Sequence, residues 1–305
     1  MKRKKNIVAG SIVAMITPFR DGRVDENAIE RLVEFQIRSG TDALLPCGTT
    51  GESATLSHDE HRQVVELTCR FARSRVPVIA GTGSNSTEEA VELTQHAASV
   101  GCDAALLICP YYNKPTQTGL IRHFTRVADV VDIPQILYNI PGRTGVNMLP
   151  ETIAALAEHP RIVGVKEASG NLAQVTQLMS FLHGRKSLRG KHFSVVSGED
   201  ALTYSILALG GTGVISAVAN AIPRQIASLV HAFAAGQTEK SRRIQLEFLE
   251  IIDVMFVETN PIPVKTACAL MGLCELEFRL PLCEMSSAHL ARLKQVLRKY
   301  HVTRG

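Results

Sequence analysis

The stretch VPVIAGTGSNSTEEAVELTQHAASVGCDAALLICP, Val76 to Pro110, contains one complete structural repeat of this chain. It begins and ends with short apolar runs, Val76–Gly81 and Ala104–Pro110. Between the runs, Ser86-Thr87-Glu88-Glu89 has the capping-box pattern of Ser with Glu three residues later, followed by a helical stretch. A buried strand, a helix and a second buried strand in this order predict a parallel β–α–β unit.

The same alternation extends in both directions along the 305 residues. Further helix starts are indicated by Asp25, by the second capping box Ser57-His58-Asp59-Glu60 and by Pro150. The eight apolar runs are Ile12–Thr17, Ala43–Gly48, Val76–Gly81, Ala104–Pro110, Pro134–Ile140, Ile162–Lys166, Phe193–Ser197 and Gly213–Ala217.

Eight strand–helix repeats favour a closed α/β barrel, the (β/α)8 TIM barrel, which takes about 250 residues. An open doubly wound sheet is the structural alternative. Near Gly236 the alternation stops, and the remaining sequence has only helical patterns. We therefore expect a barrel domain at residues 1–236 and a small C-terminal helical domain at residues 237–305.

The charge of the chain argues against a nucleic-acid partner. The formal net charge is +4, and the tail Lys2-Arg3-Lys4-Lys5 carries four positive charges, so the remainder sums to zero. The tail and the apolar run Ile7–Thr17 resemble a signal peptide. However, the run continues into Pro18 with no small-residue cleavage site, so it reads as a first buried strand. No apolar stretch reaches the roughly 20 residues that a membrane span needs.

The composition also predicts neither a metal nor a cofactor. The seven cysteines are odd in number and show no CxxC spacing, which indicates no zinc site or disulfide framework and suits a reducing cytoplasm. The Gly-rich stretches at Gly48–Ser53 and Gly81–Ser86 lack the full spacing of phosphate or dinucleotide motifs. No His, Asp and Glu residues have the spacing of metal ligands.

Polar residues at the carboxyl ends of the predicted strands are the candidates for chemistry, because TIM barrels build their active sites there. Lys166 ends an apolar strand, and burial disfavours its ammonium form and frees the amine to attack carbonyls. Tyr138, Tyr112 and Thr49 could relay protons through hydroxyl groups, and Arg143 could bind a carboxylate. The alternatives are a lysine paired with a carboxylate, core or rim tyrosines, and a surface arginine.

Four motifs at these positions resemble those of the dihydrodipicolinate synthase family, within the pyruvate-dependent N-acetylneuraminate lyase superfamily. The likeness runs from about Gly10 to the final helices. The motifs are Gly48-Thr49-Thr50-Gly51-Glu52-Ser53, Pro110-Tyr111-Tyr112-Asn113-Lys114-Pro115, Tyr138-Asn139-Ile140-Pro141-Gly142-Arg143-Thr144-Gly145 and Val165-Lys166-Glu167-Ala168-Ser169-Gly170.

The resemblance implies a lyase that condenses pyruvate with L-aspartate 4-semialdehyde to 4-hydroxy-tetrahydrodipicolinate, in the diaminopimelate route to L-lysine. Lys166 would form a Schiff base with pyruvate, and Tyr138, Thr49 and Tyr112 would relay protons, with Tyr112 lent by the neighbouring subunit. The implied substrate-binding residues are Thr50 and the Ile215 backbone for the pyruvate carboxylate, Arg143 for the semialdehyde carboxylate, and Gly198.

Alternatives remain within and outside this superfamily. The chain could be a N-acetylneuraminate, 2-keto-3-deoxygluconate or hydroxy-oxoglutarate aldolase, although an arginine matching Arg143 is not expected in neuraminate lyases. A barrel that has lost catalysis would be expected to lack Lys166 or the tyrosines.

The resemblance also implies regulation and assembly. L-Lysine would inhibit at a pocket on a tight dimer interface, formed by Ser53, Ala54, His58, His61, Asn85, Glu89 and Tyr111. Two structural alternatives to this pocket remain. Glu89 could complete its capping box, and His58 and His61 could be solvated surface residues on one helical face. A homotetramer, a dimer of dimers, is expected. The basic segment His183–His192 looks longer than is usual in the family, which puts the packing of those dimers in doubt.

Overall fold

The computed structural model describes residues 7–188 and 191–303. Two features of the sequence lie wholly or partly outside these residues. They are the basic tail Lys2-Arg3-Lys4-Lys5 and two positions, Arg189 and Gly190, of the longer basic segment.

Within the described residues, one sheet contains eight strands, and its registered strand pairs are parallel. The strands are β1 (Gly10–Ala14), β4 (Ala43–Leu45), β5 (Ile79–Gly81), β6 (Ala104–Ile108), β7 (Gln135–Asn139), β8 (Ile162–Glu167), β9 (Ser194–Ser197) and β10 (Gly213–Ser216). Their order in the sheet is β4-β1-β10-β9-β8-β7-β6-β5, and a bridge between Leu44 in β4 and Val78, just before β5, links the two ends of that order. The predicted barrel is therefore confirmed over the open sheet.

Helices follow the strands, as the alternation predicts, and further helices follow Gly236. They are α1 (Glu26–Arg38), α2 (His58–Ala72), α3 (Thr87–Ser99), α4 (Gln117–Val130), α5 (Pro141–Thr144), α6 (Pro150–Leu156), α7 (Leu172–Gly184), α8 (Thr203–Ala208), α9 (Pro223–Ala234), α10 (Thr238–Glu247), α11 (Leu249–Val254), α12 (Ile262–Leu270) and α13 (Ser287–Lys299).

A two-stranded hairpin after β1 was not predicted. Strands β2 (Phe19–Arg20) and β3 (Arg23–Val24) pair in antiparallel fashion. Asp21 and Gly22 between them have φ values of 53° and 74°, the left-handed conformation of a tight hairpin turn. The Asp-Gly pair is a strong local hairpin signal, but the flanking strands are too short to show a pattern.

The helix starts are mostly as predicted. Asp25 caps α1 by accepting from the Ala28 N–H at 3.0 Å, and the capping box of Ser57 and Glu60 is complete. The box at Ser86 is only half formed, because the Glu89 carboxylate accepts instead from the hydroxyl of Ser84. The Ser84 hydroxyl oxygen also accepts from the Ser86 N–H at 3.0 Å, so it takes the place that the Glu89 side chain would fill.

The chain divides into two compact units. Of the described residues, one unit contains those up to Gly10 together with Ile79–Ile215, and Phe124, Leu107 and Leu120 are fully buried in it. The other contains Ser11–Val78 together with the residues from Ser216 onward. The helices after Gly236 belong to this second unit, and the domain boundary at residue 236 stays a prediction.

The longer basic segment leads from α7 into β9, as its sequence predicts. Glu158, just beyond α6, accepts hydrogen bonds from Arg185 and from Ser187. The Lys191 ammonium donates to the backbone carbonyls of Ala157 and His159, and burial lowers its pKa. The described part of the segment is thus anchored to the end of α6. Its effect on assembly stays a prediction.

Candidate active site

Lys166 and Tyr138 lie side by side on adjacent parallel strands. They are register partners of β8 and β7, and their exposed fractions are 7% and 5%. The Lys166 Nζ atom lies 4.2 Å from the centre of the Tyr138 ring. The structure therefore brings a buried primary amine next to a buried phenol, the pair that the sequence placed at strand ends.

The residues that follow them face the other side of the sheet, because side chains alternate along a strand. Asn139 donates to the carboxylate of Glu167 at 3.0 Å and accepts from the Met148 N–H at 2.9 Å. Glu167 also accepts from the Ser169 N–H at 2.7 Å. This buried network ties β7 to β8 directly behind the amine and the phenol. Asn139 and Glu167 both lie in the four family motifs, but no role was predicted for them from the sequence. The alternation of side chains along a strand could have placed them on the face opposite Tyr138 and Lys166.

Gly198 packs directly against the Lys166 side chain. A Cβ atom at this position would lie 2.6 Å from Ala168 Cβ and 2.9 Å from Lys166 Cε, both too close for a real side chain. The Gly198 N–H donates to the Glu167 carbonyl at 2.7 Å. A glycine is therefore required here for space, and its N–H is already used by the backbone.

Glu199, which sequence reasoning missed, follows Gly198 and interacts electrostatically with Lys166. Partial burial raises the pKa of its carboxyl, and the Lys166 charge opposes that shift. No local sequence pattern distinguishes this glutamate from a surface one.

Arg143 and Ile215 have different environments. Ile215 is buried in β10 at 1% exposure, and only its backbone can form hydrogen bonds with a ligand. Arg143 is exposed, on the one-turn helix α5. Pro141 starts this turn and Gly145 ends it with a φ of 71°. The Pro and Gly positions could have predicted the turn.

Tyr112 is 89% exposed, and Tyr111 is 37% exposed. Two adjacent tyrosines in an extended segment would place their rings on opposite sides. That expectation is wrong, because Tyr112 has a φ of 70°, in the left-handed region. A ring exposed to this extent is not packed against the buried Lys166 and Tyr138 side chains.

Thr49 and Thr50, in the second unit, form a single 3₁₀ turn after β4. Thr49 is half-buried and Thr50 is 3% exposed. The Thr50 hydroxyl oxygen accepts a hydrogen bond of 3.0 Å from the side-chain amide of Asn260. Glu52, two residues later, has a φ of 53°, and its carboxylate pairs with Lys265 at 2.6 Å. Asn260 and Lys265 were missed, because their contacts are remote in sequence.

The chain matches the family model described as the dihydrodipicolinate synthetase family over residues 7–300. The chain belongs to this family. It is 55% identical over 291 residues to the 4-hydroxy-tetrahydrodipicolinate synthase of Pelobacter propionicus, covering 95% of this chain and 98% of that protein.

Two solved structures of the family extend the comparison. A dihydrodipicolinate synthase from Aquifex aeolicus shares 49% identity with a TM-score of 0.92, covering 96% of this chain and 98% of that one. A family member from Cyanidioschyzon merolae, solved with lysine bound, shares 39% identity with a TM-score of 0.91, covering 98% and 100%.

The residues expected for a lysine pocket fall in both units. In the first unit, Glu89 accepts from Ser84, and the Asn85 carbonyl accepts from the side-chain amide of Asn113 at 2.9 Å. In the second unit, His58 is exposed but His61 is only 6% exposed. His58 therefore lies on the surface, whereas a solvated surface position is wrong for His61. Ser53 is half-buried and Ala54 is exposed.

Within residues 7–188 and 191–303, no three His, Cys, Asp or Glu side chains come together as a potential metal site. In the same residues, no helix combines the length and the apolar character needed to span a bilayer. No disulfide joins the seven cysteines, all of which lie within the described residues, and burial raises the pKa of Cys109 to about 12.

Proposed function

We propose that this chain is a 4-hydroxy-tetrahydrodipicolinate synthase, which condenses pyruvate with L-aspartate 4-semialdehyde on the route to L-lysine. The observation that carries the proposal is the buried amine of Lys166 beside the Tyr138 ring. Membership of the family over residues 7–300 supports the same reaction.

The chemistry follows from an amine held in a buried site. The Lys166 amine adds to C2 of pyruvate, and the carbinolamine loses water to give a Schiff base. Loss of a C3 proton gives an enamine, whose C3 atom forms the new bond to the aldehyde carbon. The amino group of the semialdehyde then attacks C2, closes the ring and releases Lys166.

Several protons must move during these steps, and hydroxyl groups can carry them without a fixed charge. Tyr138 is next to the amine and is the first member of the proposed relay. Thr49 and Tyr112 are the other proposed members. Thr50 and the Ile215 backbone would hold the pyruvate carboxylate, Arg143 would hold the carboxylate of the semialdehyde, and Gly198 would line the substrate site.

Borohydride trapping tests the central step. The protein is reduced with borohydride in the presence of pyruvate, digested and mapped by mass spectrometry. We expect one reduced pyruvate on Lys166 and none in Lys166→Ala. Lys294→Ala, which removes an exposed lysine of α13, is the matched control and should be trapped like the wild type. Modification of another residue, or of none, contradicts the proposal.

The aldehyde is tested separately with the purified enzyme. Pyruvate is offered with L-aspartate 4-semialdehyde and with the aldehydes of the neuraminate, 2-keto-3-deoxygluconate and hydroxy-oxoglutarate aldolases. The semialdehyde should give the highest kcat/KM, and Arg143→Ala should raise its KM while leaving that of pyruvate unchanged. A higher kcat/KM with another aldehyde would identify a different aldolase of the superfamily.

We also propose feedback inhibition by L-lysine at the seven-residue pocket. The lysine-bound family member supports it, and Glu89 offers a carboxylate for an ammonium group. Millimolar lysine should lower the catalytic rate and raise the melting temperature. A dissociation constant in this range corresponds to a binding free energy of roughly 4 kcal/mol. Glu89→Gln should abolish both effects. Wild-type protein that is unchanged by lysine contradicts regulation without affecting the proposed reaction.

Assembly is part of the same proposal. The 89% exposure of Tyr112 supports its use by a partner subunit in a homo-oligomer. Inactive Tyr112→Phe and inactive Lys166→Ala proteins should regain part of the activity when their subunits are exchanged. An unrestored rate after verified subunit exchange contradicts the sharing of Tyr112.

A further inference from the structure

A buried ion pair lies behind the Gly48–Ser53 motif. Lys265 Nζ and Glu52 Oε1 are 2.6 Å apart, and both side chains are fully buried. Lys265 Nζ also lies 4.0 Å from the centre of the Phe19 ring, so its surroundings are partly aromatic. Burial lowers the pKa of Lys265, and the Glu52 carboxylate opposes that shift. Removing two charges from water is expensive, and buried pairs of this kind add little to stability compared with apolar replacements. What such a pair does supply is a fixed position.

The position that the ion pair fixes is that of the 3₁₀ turn Thr49–Gly51, the threonine turn. Glu52 joins two 3₁₀ turns and adopts a left-handed conformation that is strained for a glutamate. Its N–H donates to the Thr49 carbonyl at 3.1 Å, and its second carboxylate oxygen accepts from the Arg279 N–H at 3.2 Å. Lys265 and Arg279 therefore hold Glu52 from two directions, and Glu52 in turn holds Thr49.

Asn260 acts on the neighbouring Thr50. Its side-chain NH₂ group donates to the Thr50 oxygen, so this bond uses a lone pair of the hydroxyl and not its proton. The Thr50 hydroxyl thereby keeps its proton for donation elsewhere. A carboxylate oxygen, such as that of pyruvate, is the acceptor that such a donor suits.

We propose that Asn260 and Lys265 are positioning residues: Asn260 orients the Thr50 hydroxyl toward the pyruvate carboxylate, and Lys265, through Glu52, sets the position of Thr49. This inference rests on the proposed function, which assigns Thr49 to proton relay and Thr50 to pyruvate binding. The part of the chain after Gly236 would thus support the reaction through the turn that α12 and the segments beside it hold.

Asn260→Asp gives the sharpest test, because it keeps the shape but replaces the donor with an acceptor. The Thr50 hydroxyl must then donate to the new carboxylate and is lost to the substrate. We expect the KM for pyruvate to rise about tenfold, with the KM for L-aspartate 4-semialdehyde unchanged and borohydride trapping of pyruvate slowed. Asn260→Ser, which retains a donor, should recover part of the pyruvate affinity.

The ion pair is tested with a variant series in which stability and kinetics separate. Lys265→Met leaves Glu52 buried without its cation, and it should fold poorly or melt early. Glu52→Gln combined with Lys265→Met removes both charges and should recover the melting temperature, because no uncompensated charge remains. We expect trapping by this double variant to stay about tenfold slower than in the wild type, because the turn has lost its anchor.

Thr266→Val is the matched control. It removes a buried hydroxyl of α12 that donates to the Ile262 carbonyl at 2.7 Å and not to the threonine turn. It should lower the melting temperature and leave both KM values unchanged.

The outcomes separate the inference from the proposed function. Wild-type protein that fails to trap pyruvate on Lys166 overturns both. Wild-type trapping together with an unchanged pyruvate KM in Asn260→Asp overturns the role of Asn260 alone. A double variant that regains both stability and the wild-type trapping rate shows that Lys265 is only structural.

Discussion

The two groups of proposed catalytic residues are held in place by different means. Lys166 and Tyr138 are register partners in adjacent strands, so backbone hydrogen bonds of the sheet fix their spacing. Thr49 and Thr50 lie in a turn whose side-chain contacts include Lys265 and Asn260, 213 and 210 positions from the residues that they bind. The position of the first group depends on main-chain hydrogen bonds and on the absence of a side chain at Gly198. The position of the second group depends on hydrogen bonds from individual side chains. Different substitutions should therefore damage each group.

The largest effect should come from adding a methyl group at Gly198, beside the strand-held group of Lys166 and Tyr138. In Gly198→Ala the new Cβ atom meets Lys166 Cε, so the amine is displaced. We expect kcat to fall about 100-fold, since an error of about 1 Å in a reacting group is sufficient for such a loss. Steady-state kinetics and borohydride trapping measure the change.

The matched control is Gly184→Ala at the end of α7, where an added Cβ has nothing within 4 Å. It should keep the wild-type rate. A wild-type rate in Gly198→Ala as well would mean that the pair tolerates displacement, and the contrast between the two groups would fail.

A smaller effect should follow from removing a side chain behind the same strands. Asn139→Ala deletes the amide that bonds to Glu167 and Met148, and leaves a buried carboxylate with one partner fewer. We expect a loss of about 2 kcal/mol in the free energy of unfolding. The catalytic rate should change less than tenfold, because the backbone register of Tyr138 and Lys166 persists.

Urea denaturation and steady-state kinetics on the same protein measure both quantities. Thr176→Ala removes an exposed hydroxyl on α7 and should change stability by less than about 0.5 kcal/mol. If Asn139→Ala lost its rate more strongly than its stability, side-chain support would matter in the strand-held group too.

The smallest effect concerns Arg279, which contacts Glu52 beside the threonine turn and also pairs with Glu60. It is a change in the free energy of unfolding that depends on pH. The Arg279 guanidinium bonds to Glu60 and lowers the pKa of that carboxyl to about 2. A lowered pKa in the folded state means that the stabilisation is present above the unfolded pKa of about 4.3 and is lost as pH falls toward 2. The pair is partly exposed, so solvent screening limits its contribution to about 1 kcal/mol.

Glu60→Gln tests this dependence through urea denaturation at several pH values. The wild type should be more stable than the variant at pH 7, and the two should converge near pH 2. Curves that stay parallel across that range would mean that Glu60 and Arg279 do not couple to folding.

The strand-held group could be predicted because its signals are local. A buried parallel strand is a continuous apolar run, and a lysine or tyrosine at its end stands out from that run. Lys166 and Tyr138 could therefore be placed at the ends of neighbouring strands from the sequence. The contact between them depends only on register, which the fold supplies.

Other features escaped sequence reasoning for physical reasons. The helical segment around Lys265 predicts nothing about Glu52, because a hydrogen bond between distant residues leaves no periodic trace. At Ser86, the Ser84 hydroxyl accepts the N–H that the Glu89 carboxylate would take in a capping box, and the sequence does not reveal this exchange. At Tyr112, the left-handed backbone conformation has no glycine to announce it.

The separation of Glu52 and Lys265 also has a consequence for synthesis of the chain. Glu52 emerges from the ribosome 213 residues before Lys265, an interval of about 10 to 40 seconds at ordinary elongation rates. Until then the Glu52 carboxylate has no ammonium to neutralise it and must stay in contact with water. The threonine turn therefore cannot be completed while the barrel strands emerge. A nascent chain that stops short of α12 lacks the last part needed for this turn, so the cell is expected to gain activity only from chains translated almost to their end.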